Sequence, residues 1–181
     1  IVGVGFFTSF FGQVSLAPLA DRGRAHRLII LGLGLEVLGC LGMAFGKTFI
    51  ALLISRSIMG LGAGAALPAL RRVIIVADPE NFGHNLGRIL SFEVAGFASG
   101  PIVSVIFAQL FGIPGPFIFL AIAISAFVIL ISQADIPETK KEHQPTERFA
   151  IDLLKNRAVA SGILIGVALF FMIGVFDSLW V

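Results

Sequence analysis

The chain of 181 residues is 57% hydrophobic and only 13% charged, with a mean hydropathy of +0.99. Soluble domains carry roughly 25% charged residues, so this composition excludes an ordinary soluble domain and predicts a membrane protein. The net charge of +2 and the pI of about 9.1 indicate contact with anionic lipid headgroups. The sequence lacks a basic face with interleaved aromatic residues, so it does not indicate nucleic acid binding.

Six apolar stretches follow one another along the chain, each near the ~20 residues that a membrane-spanning helix needs. They are longer than barrel strands and lack an alternation of apolar and polar residues, which predicts helices. The six stretches are residues 1–20, 28–46, 49–70, 89–110, 117–133 and 158–176. We therefore expect an all-α polytopic membrane protein.

The basic residues indicate the orientation of these stretches. Eleven of the 13 Lys and Arg residues follow the first, third and fifth stretches, whereas the opposite loops hold only Lys47 and one arginine lies within a span. Loops rich in Lys and Arg face the cytoplasm. The sequence therefore predicts a multi-pass protein of the plasma or inner membrane, with its basic side cytoplasmic.

The first loop, residues 19–27, has the sequence Leu-Ala-Asp-Arg-Gly-Arg-Ala-His-Arg. It resembles the signature loop between the second and third helices of the major facilitator superfamily, although one residue is missing before Gly23. The resemblance implies a latch in which Asp21 contacts the opposite half of a transporter when the inside is closed. Alternatively, these arginines only obey the charge rule. The residues of the implied latch are Asp21, Arg22, Gly23, Arg24 and Arg27.

The third stretch carries Arg56, Gly60 and Gly64 at intervals of four residues, which places them on one helix face. The small residues allow a neighbouring helix or a substrate to approach the backbone. This pattern resembles the fourth-helix motif of proton-coupled members of the superfamily, with Met59 in place of the usual glutamine.

A charge at the position of Arg56 costs at least ~2.5 kcal/mol on insertion scales, so it needs a carboxylate or water. Counted from the short outer loop at 1.5 Å per residue, Arg56 lies roughly 12 Å deep and Glu36 roughly 15 Å deep. An ion pair between them is geometrically possible. Alternatively, Arg56 faces a central aqueous cavity and assists proton release from a neighbouring carboxylic acid, which is the role that the resemblance implies.

The fourth stretch contains Gly87, Gly96, Gly100 and Pro101. This pattern resembles the fifth-helix motif of efflux antiporters, although it lacks the two glycines that complete the motif. Pro101 predicts a kink, and the two glycines before it predict tight contact with another helix. The resemblance implies export rather than import.

Two further acidic residues are candidates for a role in transport. Glu93 lies one turn before the paired glycines and is either a proton or cation site, or a partner of Arg88. Asp177 lies at the outer end of the last stretch, close to Trp180, a residue type typical of membrane interfaces. We interpret Asp177 as interfacial, with an outer gate as the alternative.

The long charged segment between the fifth and sixth stretches predicts a linker between two helix bundles. Its second part, residues 148–157, has the pattern of a short amphipathic helix at the interface. The segment Ile136–Lys140 resembles the end of the sixth helix of the superfamily, so the six stretches would be its second to seventh of twelve helices. The predicted regions are 1–133 as most of the N-terminal bundle, 134–157 as the central cytoplasmic loop and 158–181 as the first helix of the C-terminal bundle.

The resemblance implies a proton-coupled exporter of small amphipathic compounds or drugs, monomeric, working by alternating access and using the proton gradient rather than a cofactor. An importer of a sugar, organic acid or other metabolite is the first alternative, and a receptor or scaffold the second. No nucleophile arrangement accompanies His26, His84 or His143, and neither metal-ligand spacing nor a Walker sequence is present, so no enzymatic activity is expected. The expected partners are membrane lipids, a small-molecule substrate and protons.

Overall fold

The computed structural model describes residues 2–134 and 155–179, which belong to two compact units, residues 1–144 and 145–181. The first unit contains α1 (Val2–Leu19), α2 (Ala25–Phe45), α3 (Phe49–Ala77), α4 (Phe82–Phe111) and α5 (Gly115–Ser132); the second contains α6 (Arg157–Leu179). No strand occurs among the described residues, and the all-α prediction is confirmed. The predicted helix end at Ile136–Lys140, most of the predicted amphipathic helix and Trp180 lie outside the described residues.

Four helical segments of the described chain are long and apolar enough to cross a membrane: Ala20–Phe45, Phe49–Ala77, Phe82–Phe111 and Gly115–Ser132. Shorter apolar segments lie in α1 and α6, at Val2–Leu16 and Val159–Ala168. Many large apolar side chains on the first five helices are exposed, as expected for surfaces that face lipid. The structure therefore indicates a multi-pass membrane protein.

The link between α1 and α2 is a sharp turn at Ala20–Arg24. Arg22 departs from helical geometry (φ −91°, ψ 23°), and Gly23 takes a left-handed conformation (φ 73°, ψ 34°). Only glycine adopts that conformation without a steric cost. The glycine predicted to belong to the latch therefore has a definite structural role in reversing the chain.

The boundaries of α3 and α4 differ from the prediction. α3 continues to Ala77 instead of ending at residue 70, and α4 begins at Phe82 instead of residue 89. Arg71, Arg72 and Arg88 consequently lie on helices rather than in a loop. The apolar stretch predicted for α3 stops at Arg71 and Arg72, but residues 73–77 after them are apolar again, and the backbone hydrogen bonds of the helix continue through both arginines.

Asp78 ends α3 and organises the tight turn that follows. Its carboxylate accepts hydrogen bonds from the side chains of Asn85 (2.8 Å) and Asn81 (3.1 Å). These bonds, with that from Asn85 the strongest, lower the pKa of Asp78 below its ordinary value. The turn therefore contains a carboxylate that stays ionised under acidic conditions in which a free aspartate begins to protonate.

In the first unit α3 packs against α1 and α2, while α5 packs against α2 and α4 against α5. His26 was predicted to lie in a loop, but it occupies the first turn of α2, and its Nε2 lies 3.0 Å from the carbonyl oxygen of Ile131 on α5. His84 was also predicted in a loop and lies in the first turn of α4. None of the residues of α4 is buried within the described chain, which places this helix at an edge of the unit.

Candidate functional site

The seam between α1 and α3 is built from small residues. A Cβ added to Gly60 would overlap the carbonyl group of Gly5 and the hydroxyl group of Thr8, and one added to Gly64 would lie 3.0 Å from the Cα of Gly12. Both the overlap at Gly60 and the short distance at Gly64 require that the two backbones are in direct contact, the arrangement that small residues permit between membrane helices. This face of α3 is therefore occupied by a neighbouring helix.

Arg56 lies at the edge of that seam and is half-buried. Its side chain runs along α1, where a Cβ added to Gly5 would lie 2.8 Å from the Arg56 Nε and 3.3 Å from its Cδ. The missing side chain of Gly5 thus provides the room that the guanidinium occupies. Among the described residues, none forms an ion pair with Arg56 within 4.0 Å.

Glu36 lies in the seam on the other side of α3. A Cβ added to Gly62 would lie 3.1 Å from its Cγ, and the Glu36 carboxyl also interacts with the backbone of Ala63 and with the positive charge of Arg56. The ion pair considered from the sequence is therefore replaced by a charge interaction without direct contact. The physical reason is that the two side chains follow different seams, Arg56 toward α1 and Glu36 against α3.

The acidic residue of the predicted latch has a partner inside the first unit. The Asp21 Oδ1 lies 3.2 Å from the Nε of Arg72 on α3, and the two side chains are 40% and 23% exposed. An ion pair with this exposure contributes roughly 0–1 kcal/mol. Asp21 is therefore weakly held and able to exchange partners, while Arg22, Arg24 and Arg27 are exposed around it.

Glu93 also pairs with α3. The Nη2 of Arg71 donates to both carboxylate oxygens of Glu93, at 3.2 and 3.3 Å. The alternative partner considered from the sequence, Arg88, does not form this pair, because residues five apart do not face each other on a helix. Consecutive arginines of α3 thus contact two different segments, the turn before α2 and the helix α4.

The glycine motif of α4 has no neighbour in the described chain. A Cβ added to Gly87, Gly96 or Gly100 would meet no atom within 4 Å, and the helix continues through Pro101. The tight contact expected from the sequence is therefore not made within the first unit. α4 is packed instead nearer its C-terminal end, where Phe107 stacks on Phe119 of α5 with ring centroids 4.1 Å apart.

Several residues of this site were not identified as important from the sequence alone. The face of α1 that contacts α3 contains Gly5, Thr8 and Gly12. Their spacing of three and four residues was the available signal for a close helix contact. Arg71 and Arg72 gave no signal, because their partners are distant in sequence. Asp177 lies near the end of α6, and its side chain is outside the described part of the structure.

The described residues contain no group of three or more His, Cys, Asp or Glu side chains that could hold a metal ion. Two sets of charged side chains in the first unit interact across helices. One set is Arg56 and Glu36 inside the helices, and the other is the pair of arginines at the end where the basic turn lies.

Comparisons with known proteins show which family the chain resembles. A family model described as Major Facilitator Superfamily matches residues 1–181. Multidrug resistance protein MdtG of Proteus mirabilis is 29% identical over 167 residues, which cover 87% of this chain and 41% of that protein. Multi-drug resistance efflux pump PmrA of Streptococcus pneumoniae serotype 4 is 31% identical over 137 residues, 71% of this chain and 33% of that protein.

A third relative is the probable metabolite transport protein YDR387C of Saccharomyces cerevisiae, 25% identical over 136 residues, which cover 74% of this chain and 24% of that protein. The chain therefore spans less than half the length of each of these relatives. No solved structure matches it significantly.

Proposed function

Because this chain belongs to the major facilitator superfamily, whose members are transporters and not enzymes, we propose that it is part of a proton-coupled exporter of small amphipathic compounds. Two relatives bear the names of multidrug resistance and efflux proteins. The glycine and proline pattern of α4 also resembles that of exporters. The observation that carries the proposal is a half-buried arginine inside a membrane-length helix, within the field of a carboxyl group that it does not contact directly.

Proton coupling is assigned to Glu36 and Arg56. An ionisable pair inside membrane helices is costly and is retained where charge must change during function. A proton that binds to a carboxylate oxygen of Glu36 removes a negative charge near Arg56, so the guanidinium loses an attractive partner and responds to the change. Since the two side chains lie in the two seams of α3, this response links proton binding to the position of that helix.

Alternating access is assigned to the end of the unit where the basic residues lie, which we place in the cytoplasm. Asp21 is held by Arg72 through a weak, partly exposed ion pair, and an opposite half of the transporter competes for it when the inside closes. No described atom lies within 4 Å of a Cβ built at Gly96 or Gly100 of α4, which leaves room there for close contact with a second half. Opening and closing then change the partners of these two elements, a movement of domains about an interface.

A second candidate function is the import of a metabolite. The yeast relative is named as a probable metabolite transport protein, and the same pair of ionisable residues serves symport as well as antiport. The direction in which protons and substrate move distinguishes the two functions. A receptor or scaffold with the same fold is the third reading, and it requires no proton movement at all.

The test uses the full-length protein in proteoliposomes that contain a pH-sensitive dye, with a proton gradient imposed. A panel of drugs and metabolites is added to wild type and to the variants Arg56→Gln, Glu36→Gln and Arg88→Gln. Arg88 is exposed and lies outside both seams, so its variant is the matched control for loss of charge. We expect drug-dependent proton efflux in wild type and Arg88→Gln, and none in the other two variants.

Each other result has a defined meaning. Proton entry that accompanies a sugar or an organic acid would replace export with import. Coupled transport that survives in Arg56→Gln would refute the assignment of proton coupling. Silence of the wild type across the panel, with monodisperse protein, would favour the receptor or scaffold.

A further inference from the structure

A cleft of about 480 Å³ lies between α1, the α1–α2 turn and α3. We propose that this cleft binds one small uncharged amphipathic molecule, whose apolar part lies on Phe10 and whose polar group is hydrogen-bonded by Gln13. The inference rests on the proposed export of amphipathic compounds, and it adds a binding site on this chain and the charge of the compound. Its test measures binding alone, so its outcome is independent of the proton measurements described above.

The charged groups of the cleft cancel one another. Arg72 forms an ion pair with Asp21, and Arg71 donates hydrogen bonds to both carboxylate oxygens of Glu93. Two guanidinium groups are thus matched by two carboxylates, and neither a cation nor an anion meets an uncompensated opposite charge in the described lining. An ion that enters an apolar site loses its hydration and needs a partner to replace it. The charges of the cleft therefore favour an uncharged occupant.

The walls of the cleft are mainly apolar. They are formed by Phe10, Val14, Pro68 and Ile75. Phe10 is 62% exposed and Val14 is 40% exposed, so both keep apolar surface that a bound molecule would cover. Pockets for drug-sized molecules typically enclose about 300–1,000 Å³ and combine apolar walls with a few polar groups. The cleft has the volume and the walls for one such molecule.

Gln13 supplies a polar group that has no partner in the described chain. It lies in the apolar segment Val2–Leu16, its side chain lines the cleft and is exposed, and no hydrogen bond of the described residues uses its amide. A Cβ built at Gly64 would lie 3.0 Å from the backbone N of Gln13, so the close contact with α3 fixes the point from which this side chain projects. The amide offers two N–H donors and a carbonyl acceptor. It can therefore orient a ligand without an ionic bond.

Other occupants match the cleft less well. The acyl chain of a lipid would cover Phe10 and Val14, but it offers no group to the amide of Gln13, which would stay unpaired in an apolar site. A small inorganic ion would require the arginines or the carboxylates to give up their present partners. A molecule with an apolar body and an uncharged polar group uses both the walls and the amide.

Binding of tritiated N-phenylnaphthylamine to the full-length protein in detergent tests the proposal. The probe is uncharged and aromatic, and it carries an N–H donor for the carbonyl of Gln13. A scintillation proximity assay on immobilised protein gives the saturable part of binding, which separates a site from partition into the micelle. The variants are Gln13→Leu, Phe10→Ala and the control Phe7→Ala. Phe7 is 64% exposed on the same helix and, like Phe10, contacts the ring of Phe11, but it does not line the cleft.

We expect the dissociation constant to rise about five- to tenfold in Gln13→Leu and about tenfold in Phe10→Ala, and to stay unchanged in Phe7→Ala. Neither anilinonaphthalene sulfonate, the anionic analogue of the probe, nor the cation tetraphenylphosphonium should displace it. Displacement by either ion would overturn the choice of an uncharged ligand. Absence of saturable binding, equal weakening by Phe7→Ala and Phe10→Ala, or full affinity of monodisperse Gln13→Leu would overturn the site.

Discussion

Replacement of Gly32 by alanine should destabilise the contact between α2 and α3. The new Cβ would lie 2.6 Å from the carbonyl oxygen of Gly62 and 2.8 Å from the Cβ of Ala66, well inside ordinary van der Waals distance. Overpacking of this kind costs about 1–3 kcal/mol. The better helix propensity of alanine returns about 1 kcal/mol, so we expect a net loss of roughly 0–2 kcal/mol.

Gly34 provides the matched control, because it lies on the same helix and a Cβ there meets nothing within 4 Å. Gly34→Ala should be neutral or stabilising by up to about 1 kcal/mol. The assay is the thermal midpoint of the full-length protein in one detergent, followed by the loss of the monodisperse peak. Ala66→Gly should partly rescue Gly32→Ala, because it removes one of the three atoms that lie within 3.0 Å of the new Cβ. Equal midpoints for Gly32→Ala and Gly34→Ala would refute the close approach of α2 and α3.

Three further predictions concern the end of the unit where the basic turn lies. Asp21→Arg or Arg72→Asp alone should cost up to about 1 kcal/mol of stability and so lower the thermal midpoint slightly, and the double exchange should restore it; additive losses would exclude the ion pair. Asp78 has a folded pKa below the ordinary 3.8, so its stabilisation is complete above that value and is lost as the pH falls through the folded pKa. Protection factors for amide hydrogen exchange in the turn after α3, which correct for the intrinsic pH dependence of exchange, should therefore not change between pH 7 and 5, and a loss of protection in that range would contradict the assignment. His26→Ala should cost about 1 kcal/mol through its lost hydrogen bond to α5, whereas His84→Ala should leave the midpoint unchanged.

The helices could be predicted from the sequence because the length of an apolar run is a direct consequence of membrane thickness. Their ends could not. The predicted run ends at residue 70 because two arginines follow, yet the helix continues through them for seven further residues up to Ala77, and five of these are apolar. The turn at Gly23 was recognisable because its conformation requires a particular residue.

Pairing of charges was harder to predict than their depth. The depths of Arg56 and Glu36 follow from counting residues, but the direction of each side chain depends on which neighbour lacks a Cβ, Gly5 for one and Gly62 for the other. Arg71 and Arg72 were interpreted only as basic loop residues. Their contacts with Asp21 and Glu93 depend on the packing of three segments, information that local sequence does not contain.

The glycine seams on both sides of α3 also restrict how this protein can deform. A helix whose backbone touches one neighbour at Gly60 and another at Gly62 cannot turn about its axis or slide by a fraction of a turn without steric overlap on one side. α1, α2 and α3 should therefore travel as a single rigid block. α4 is the element that can move, because a Cβ at its glycines meets no described atom within 4 Å. Distances between spin labels within the block should therefore stay constant, whereas distances from the block to labels on α4 should change as the protein works.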